Sequence, residues 1–341
     1  MLILFEFKEE INLNLNLIKK LLFTAFKLIT LLFAVSVVAF VLVKLSPIDP
    51  VTAYIGGGNA ITPQHREILE ARWGLNETPI NQYFSWLSNF LKGDMGDSIV
   101  YKQPVIRIIG ERFKASVVLM AVAWVISGLF GFILGIIGAY KQNTIVDRLI
   151  RAYCLMLQST PAFWIGMILL LIFGVYLKVC PIGMAVPIGK VVSEVSLGEK
   201  IHHMILPTIA LSITGISAIA LQTREKLIFA MESDYSVFAR SRGESMWQFI
   251  KRHGIHNILF PAVTLQFAGI NELFGGSVLA ETVFSYPGLG QATVQAGLKS
   301  DIPLLLGITI FTTLFVYGGN MIANILYPVI DPQVREEMKN E

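Results

Sequence analysis

The sequence predicts an all-α fold, a polytopic membrane helical bundle with six transmembrane helices. Three observations carry this. Six stretches, roughly 21–43, 115–140, 152–177, 202–223, 255–280 and 302–327, are apolar over the ~20 residues that a spanning helix needs. Of the 341 residues 54% are hydrophobic and only 15% charged, against about 25% charged in soluble proteins. The second and third stretches contain no Asp, Glu, Lys or Arg at all. Six such runs exclude a set of buried helices in a large soluble core. The net charge of +3 and the lack of a dense Lys/Arg tract exclude a nucleic-acid partner.

Residues 1–20 read as a cytoplasmic N-terminal segment, mixing Leu and Ile with Glu6, Lys8, Glu9, Glu10, Lys19 and Lys20. The run after Lys27 continues uncharged to Val43 and lacks a small-residue cleavage site, so it is a retained first span and not a signal peptide. Residues 21–110 then hold this span and a long external helical insertion. Within the insertion, Thr62-Pro63 and Thr78-Pro79 are helix starts, and Gly74 and Gly93 are stops. Tyr83, Trp86, Leu87, Phe90 and Leu91 fall on one apolar face, suited to packing on the bundle or the membrane surface. The transmembrane core follows over 111–330, with a cytoplasmic tail at 331–341.

Loop charges set the orientation. Loops 141–151 and 224–253 carry Lys141, Arg148, Arg151, Arg224, Lys226, Arg240, Arg242, Lys251 and Arg252. Loops 178–200 and 281–301 hold only Lys178, Lys190, Lys200 and Lys299. Both termini are therefore expected in the cytoplasm. Cys154 and Cys180 flank one apolar run, and as a continuous helix that run would hold them about 40 Å apart, too far for a disulfide.

The loop 224–253 is amphipathic and too charged to span. Gly243 can end one short helix with a positive φ, and Ser245-x-x-Gln248 forms a capping box that starts another. Phe238, Met246, Trp247 and Phe249 would give such a knob an apolar contact surface. A plain solvated connector accounts for the same residues.

The order of motifs along the chain resembles the permeases of binding-protein-dependent ABC importers, in the peptide and nickel branch. Ala239-Arg-Ser-Arg-Gly243, then Arg252-His253 and Asn257-Ile-Leu-Phe-Pro261, resemble that family's cytoplasmic signature, although Phe238-Ala239 replaces the usual acidic residue and Ala-Ala. Ser46-Pro-Ile-Asp-Pro50 is similar to Pro-Gly-Asp-Pro, with Ile48 for Gly. Gly93-Asp-Met-Gly-Asp-Ser98, Ser159-Thr-Pro-Ala-Phe-Trp164 and Ile205-Leu-Pro207 match further segments. So do the external Glu281-x-x-Phe284-x-x-Pro287-Gly288-Leu-Gly290 and, with Gln333 for Arg, the C-terminal Asp331-Pro332 and Arg335.

The resemblance implies a pore-forming, non-catalytic subunit of a prokaryotic cell (plasma) membrane importer working by alternating access. It implies a second homologous permease, two ATPase subunits that carry ATP and Mg, an extracellular substrate-binding protein, and surrounding membrane lipid. No cofactor is expected on this chain, whose sequence lacks a phosphate-cradling P-loop. Phe238, Ala239, Arg240, Gly243, Glu244, Trp247 and Phe249 would couple to the ATPase.

Glu272 is the single carboxylate inside a predicted span, with Asn271 and Gln266 nearby. Its burial in lipid would cost about 2.5–3.5 kcal/mol or more near the bilayer centre, so it is expected to face a translocation pathway or a partner group. Gln266, six residues earlier, would point to roughly the opposite face of a straight helix. His202 and His203 start the fourth span; adjacent residues diverge on a helix, which favours an interfacial role over a shared metal. The metal-ligating residues, if any, stay unknown. Gly128, Gly131, Gly135 and Gly138 allow close helix packing.

Asn271-Glu272-Leu-Phe-Gly275-Gly276 looks more like nickel permeases than peptide ones. Nickel or a metal chelate is therefore the expected substrate, with di- or oligopeptides as the alternative. An ion-coupled secondary transporter fits less well, since no convincing repeat of the six-span unit is found. A membrane enzyme lacks a nucleophile–base or metal constellation.

Overall fold

A computed structural model describes residues 2–55, 62–187, 189–190 and 194–330; the side chains at 2–18, 20–21, 55, 72, 271 and 322–330 lie outside the description. The described residues are mostly helical, without a strand, and form a helical membrane bundle. The helices are α1 (Leu2–Lys44), α2 (Pro50–Ile55), α3 (Pro63–Arg72), α4 (Pro79–Leu91), α5 (Val105–Tyr140), α6 (Ile145–Gln158) and α7 (Ala162–Leu169). They continue as α8 (Leu197–Glu232), α9 (Asp234–Ser241), α10 (Met246–Phe249), α11 (Ile255–Ala268), α12 (Ile270–Val283), α13 (Leu289–Leu298) and α14 (Ile302–Ile330). A π-helical turn extends α7 to Tyr176, and another joins α10 to α11.

Four segments are long and apolar enough to cross a membrane unbroken: Leu22–Lys44, Val105–Tyr140, Leu197–Glu232 and Ile302–Met321. Two further spans are bent pairs, which brings the count to as many as six. Ile145–Gln158 meets Ala162–Tyr176 at 106°, and Met246–Ala268 meets Glu272–Val283 at 55°. The 36-residue helices α5 and α8 are about 54 Å long, well beyond a ~30 Å hydrocarbon core. The spans at 115–140 and 202–223 are thus only the apolar middles of longer rods.

The third span departs most from expectation. It does not run straight over 152–177, because Pro161 has no N–H to continue the ladder and disfavours helical backbone at Thr160. The Ser159 and Thr160 hydroxyls donate to Leu155 O (2.9 Å) and Met156 O (2.7 Å); Leu155 O also keeps its backbone bond from Ser159 N, at 3.1 Å. The straight-helix distance between Cys154 and Cys180 therefore does not apply, although both cysteines are free thiols. The fifth span likewise breaks at Gly269.

Contacts divide the chain into two compact units, Met1–Ile109 with Gln295–Asn320, and Gly110–Val294 with Met321–Glu341. In the first unit, the face of α4 packs through Tyr83, Trp86 and Leu87 on Phe40 of α1 and Leu306 of α14. The Ser36 and Tyr83 hydroxyls share a 2.8 Å hydrogen bond. Leu91, placed on that face by periodicity, is instead 77% exposed at the helix end. Gly74 and Gly93 take positive φ, as helix stops require.

In the second unit, α8 is the shared partner of α6, α7, α11 and α12. The glycines of α5 bring its backbone against α8. A Cβ on Gly131 would meet Ile216 O at 2.8 Å, and one on Gly135 would meet Thr223 Cβ at 2.6 Å. Gly135→Ala should therefore lower the thermal unfolding midpoint of the purified permease, at an overpacking cost of about 1–3 kcal/mol. Gly110→Ala, whose added methyl meets nothing within 4 Å, should leave the midpoint unchanged or raise it. Equal midpoints for the two variants would contradict the close approach.

Candidate functional site

The loop 224–253 is mostly helix. Helix α8 runs on to Glu232, α9 follows after Ser233, and α10 starts after the turn at 242–245. Gly243 sits at φ +88, a region that side chains rarely adopt. The Ser245 side chain accepts from Gln248 N (3.3 Å), and the Gln248 side chain accepts from Ser245 N (2.8 Å), closing the capping box.

Burial sorts the seven coupling candidates into two sets. Phe238 is 63% exposed and Trp247 43%, and Arg240 and Gly243 are also exposed. Phe249, expected on the contact surface, is instead fully buried, and Ala239 is buried with it. Both belong to a core with Ala139 of α5, Leu227 and Met231 of α8, Ile250 of the π turn and Ile258 of α11. Helix periodicity within so short a segment could not tell the inward face from the outward one. Glu244 is half-buried and pairs with Arg252 at 3.1 Å and His253 at 3.5 Å, so it braces the knob and presents no free charge.

Beside the knob lies a pair that sequence inspection missed. Asp147, fully buried, receives Arg224 Nε at 2.5 Å and a second guanidinium nitrogen at 2.8 Å. Asn143 N adds a third bond at 3.0 Å, and Arg151 approaches to 3.6 Å. Arg224, counted among the loop charges, is thus a buried partner that ties the α5–α6 turn to α8. The available signal was an acid in the first turn of α6, four residues before Arg151.

The candidate pathway residues cluster at the α11–α12 break. A cavity of about 150 Å³ there is lined by Gln266 and Glu272, with Trp124, Ser127 and Thr214 from α5 and α8. Gln266 and Glu272 therefore share one cavity and do not face opposite ways, because the 55° bend at Gly269 replaces the straight-helix register. Gln266 also clamps α11 to α5: Trp124 Nε1 donates to Gln266 O at 2.9 Å, and Gln266 Nε2 donates to Trp124 O at 2.5 Å. Glu272 is exposed in this chain. The side chain of Asn271, and the C-terminal Asp331, Pro332 and Arg335, lie outside the described residues.

Much of the motif from Glu281 to Gly290, expected in an external loop, packs into the protein. Glu281 is fully buried and accepts from Ser116 Oγ (2.6 Å), Gly290 N (2.7 Å) and Gln291 N (3.2 Å). Phe284 packs on Leu206 and Ala210 of α8. Pro287 is half-buried, before the start of α13. Gly288 and Gly290 are glycine for a steric reason. A Cβ on Gly288 would fall 2.1 Å from the Glu281 carboxyl carbon, and one on Gly290 would fall 2.5 Å from Val278 Cα. The motif is a staple that folds the chain back over the end of α12.

His202 Nε2 bonds Val179 O (2.8 Å), and His203 Nδ1 lies 3.0 Å from Met184 O. The two rings diverge to fasten the 179–184 segment. Among the described residues no group of three His, Cys, Asp or Glu side chains could hold a metal ion.

In the insertion, Arg66 joins Asp49 (2.9 Å) and Glu70 (2.7 Å). Partial burial works against the Asp49 charge, but bonds from Thr52 and Arg66 and from the Val51 and Thr52 amides hold its carboxyl below the usual range. Burial pushes the Asp301 carboxyl up, against the opposing hydrogen bond from Ser98 Oγ at 2.6 Å.

Apolar spans and a helical knob packed on three of them define a membrane permease subunit. Residues 131–336 match the family described as the binding-protein-dependent transport system inner membrane component, and residues 17–123 match its N-terminal counterpart. The chain belongs to this family and is the permease subunit of an ABC importer. It is 31% identical to the oligopeptide transport system permease protein AppB of Bacillus subtilis, over 90% of this chain and 96% of that protein. It is 32% identical to a putative peptide transport system permease of Brucella abortus, over 90% and 96%. With the di/tripeptide transport system permease protein DppB of Pseudomonas aeruginosa it shares 29% identity, over 91% and 96%.

Gly288→Ala should unfold the permease at a lower temperature than Gly297→Ala, whose added methyl meets nothing within 4 Å. Glu281→Ala should be more damaging still. It strips three donors of their acceptor, at roughly 1–3 kcal/mol for each group left unpaired in the interior. Thermal unfolding of the detergent-solubilised complex tests this order, and indistinguishable midpoints for all three variants would contradict the staple.

Proposed function

We propose that this permease imports short peptides, di- to oligopeptides, through alternating access driven by two ATPase subunits. The observation that carries the substrate class is the near full-length similarity to proteins named as oligopeptide, peptide and di/tripeptide permeases. The nickel assignment rested on one short segment around Glu272 and receives no support from these relatives. A carboxylate beside a cavity at a broken helix attracts a peptide's ammonium group as well as it attracts a metal cation.

The ATPases dock on the exposed half of the knob: Phe238, Arg240, the Gly243 turn and Trp247. Ala239 and Phe249 hold that surface to α5, α8 and α11, so movement of the knob moves these helices. ATP and Mg belong to the partner ATPases. A second permease completes the pore, and an extracellular binding protein delivers substrate. Both termini face the cytoplasm, a placement supported by the basic loops and by the knob's position between α8 and α11.

Reconstituting the importer with its ATPases, second permease and binding protein tests the substrate. Peptide-loaded binding protein should raise ATP hydrolysis several-fold and nickel should not; stimulation by nickel alone would reverse the assignment. For coupling, Phe238→Ala should cut ATP-driven uptake at least fivefold with an unchanged unfolding midpoint. Phe249→Ala should lower the midpoint, at about 3–5 kcal/mol for an emptied aromatic core site. Normal uptake by a Phe238→Ala, Trp247→Ala double variant would defeat the docking assignment.

A further inference from the structure

The first unit contains a cavity of about 610 Å³ within the insertion between α1 and α5, closed in part by the start of α14. That volume is in the range of small-ligand sites. Aromatic rings form part of its wall. Tyr54 meets Trp73 edge-on at 5.1 Å, and Phe40 and Trp86 add further rings. Both signs of charge line it. Glu77, Asp94 and Asp97 supply carboxylates, and Lys102 supplies one ammonium, 4.5 Å over the Tyr54 ring. Asp94 is partly occupied by its bond from Gly96 N at 2.8 Å. Glu77 and Asp97 are exposed and have no ion pair among the described residues.

A complementary ligand must carry a cationic group for the carboxylates and apolar bulk for the aromatic wall. Ammonium groups are also attracted to aromatic faces. We propose that this cavity is a binding site for a short peptide bearing a free amino terminus or a lysine side chain. The ammonium pairs with Glu77 and Asp97, and Lys102 receives a terminal carboxylate. Three carboxylates against one lysine favour cationic over anionic peptides. The proposal rests on the peptide assignment above and adds a second place where this chain meets peptide.

The test uses the assembled importer in nanodiscs without its binding protein, titrated calorimetrically with Lys-Ala-Lys, its N-acetylated form and Glu-Ala-Glu. Lys-Ala-Lys should bind, Glu-Ala-Glu should bind at least tenfold more weakly, and acetylation should cost severalfold. Lys102→Met removes the partner of the terminal carboxylate, and Glu77→Gln with Asp97→Asn removes the carboxylate charges; all three residues are exposed, so the risk to folding is small. Each should weaken Lys-Ala-Lys binding at least fivefold. Unchanged affinity in both variants, or no binding by the parent importer, overturns the proposal. Variants that alter only the capture of peptide-free binding protein also overturn it, since the cavity would then be a protein dock. Peptide-stimulated ATP hydrolysis, measured in parallel with binding protein present, separates the failures. Stimulation without direct binding sinks this site alone, whereas no stimulation by any peptide sinks the peptide assignment itself.

Discussion

Where water is absent, every backbone N–H and C=O must find a partner within the protein, and the helix interruptions here are built around that requirement. At 159–161 the Ser159 and Thr160 hydroxyls return to carbonyls of the last turn of α6. At 269 the carbonyl of Gln266, among the last four of α11 and so without an intrahelical donor, takes the Trp124 indole N–H. At 283–289 the chain reverses, and Glu281 gathers the Gly290 and Gln291 amides that begin α13. An uninterrupted helix satisfies itself; a broken one borrows side chains from its neighbours. The same side chains that repair the backbone therefore join the helices to one another.

This has a mechanical consequence on the knob side of the second unit. Phe249 and Ala239 share one core with residues from α5, α8 and α11, and Asp147 with Arg224 pins the α5–α6 turn to α8. Removing one partner of such a buried pair is far costlier than the pair is stabilising, so the joint enforces geometry more than it adds stability. A push on the exposed Phe238–Trp247 surface meets a body of several helices, not a single flexible loop. The interruption at Gly269 lies outside that core, between α11 and α12.

Much of this was legible in the sequence. Hydropathy located the six apolar segments, because composition over twenty residues is a strong signal. The Gly243 turn and the Ser245 box were legible because their chemistry is local: a positive φ and a three-residue hydrogen bond. The interior role of Glu281 was not. Its acceptors' partners, Ser116 and Gly290, come from 165 residues upstream and nine downstream, and no local pattern encodes a tertiary staple. Asp147 was missed for the same reason, since its partner is 77 residues away. Phe249 misled because an aromatic residue in an amphipathic loop fits a contact surface and a core equally well.

Glu272 shows how a local assumption can steer a functional conclusion. On a straight helix it stands alone, with Gln266 turned away, and a lone intramembrane carboxylate invites a metal. The bend at Gly269 places both residues on one cavity, where the carboxylate and the Gln266 amide lie beside the Thr214 and Ser127 hydroxyls. That set of groups is mixed: the Glu272 carboxylate and the Gln266 side-chain carbonyl accept and the Thr214 hydroxyl can donate, whereas the Gln266 amide nitrogen and the Ser127 hydroxyl already donate to Trp124 O. A bare metal ion needs only the acceptors. A peptide brings an ammonium, N–H groups and carbonyls, and it uses both kinds. The chemistry of the cavity thus runs in the same direction as the chain's relatives, away from a dedicated metal site and toward a substrate with a peptide's own hydrogen-bonding pattern.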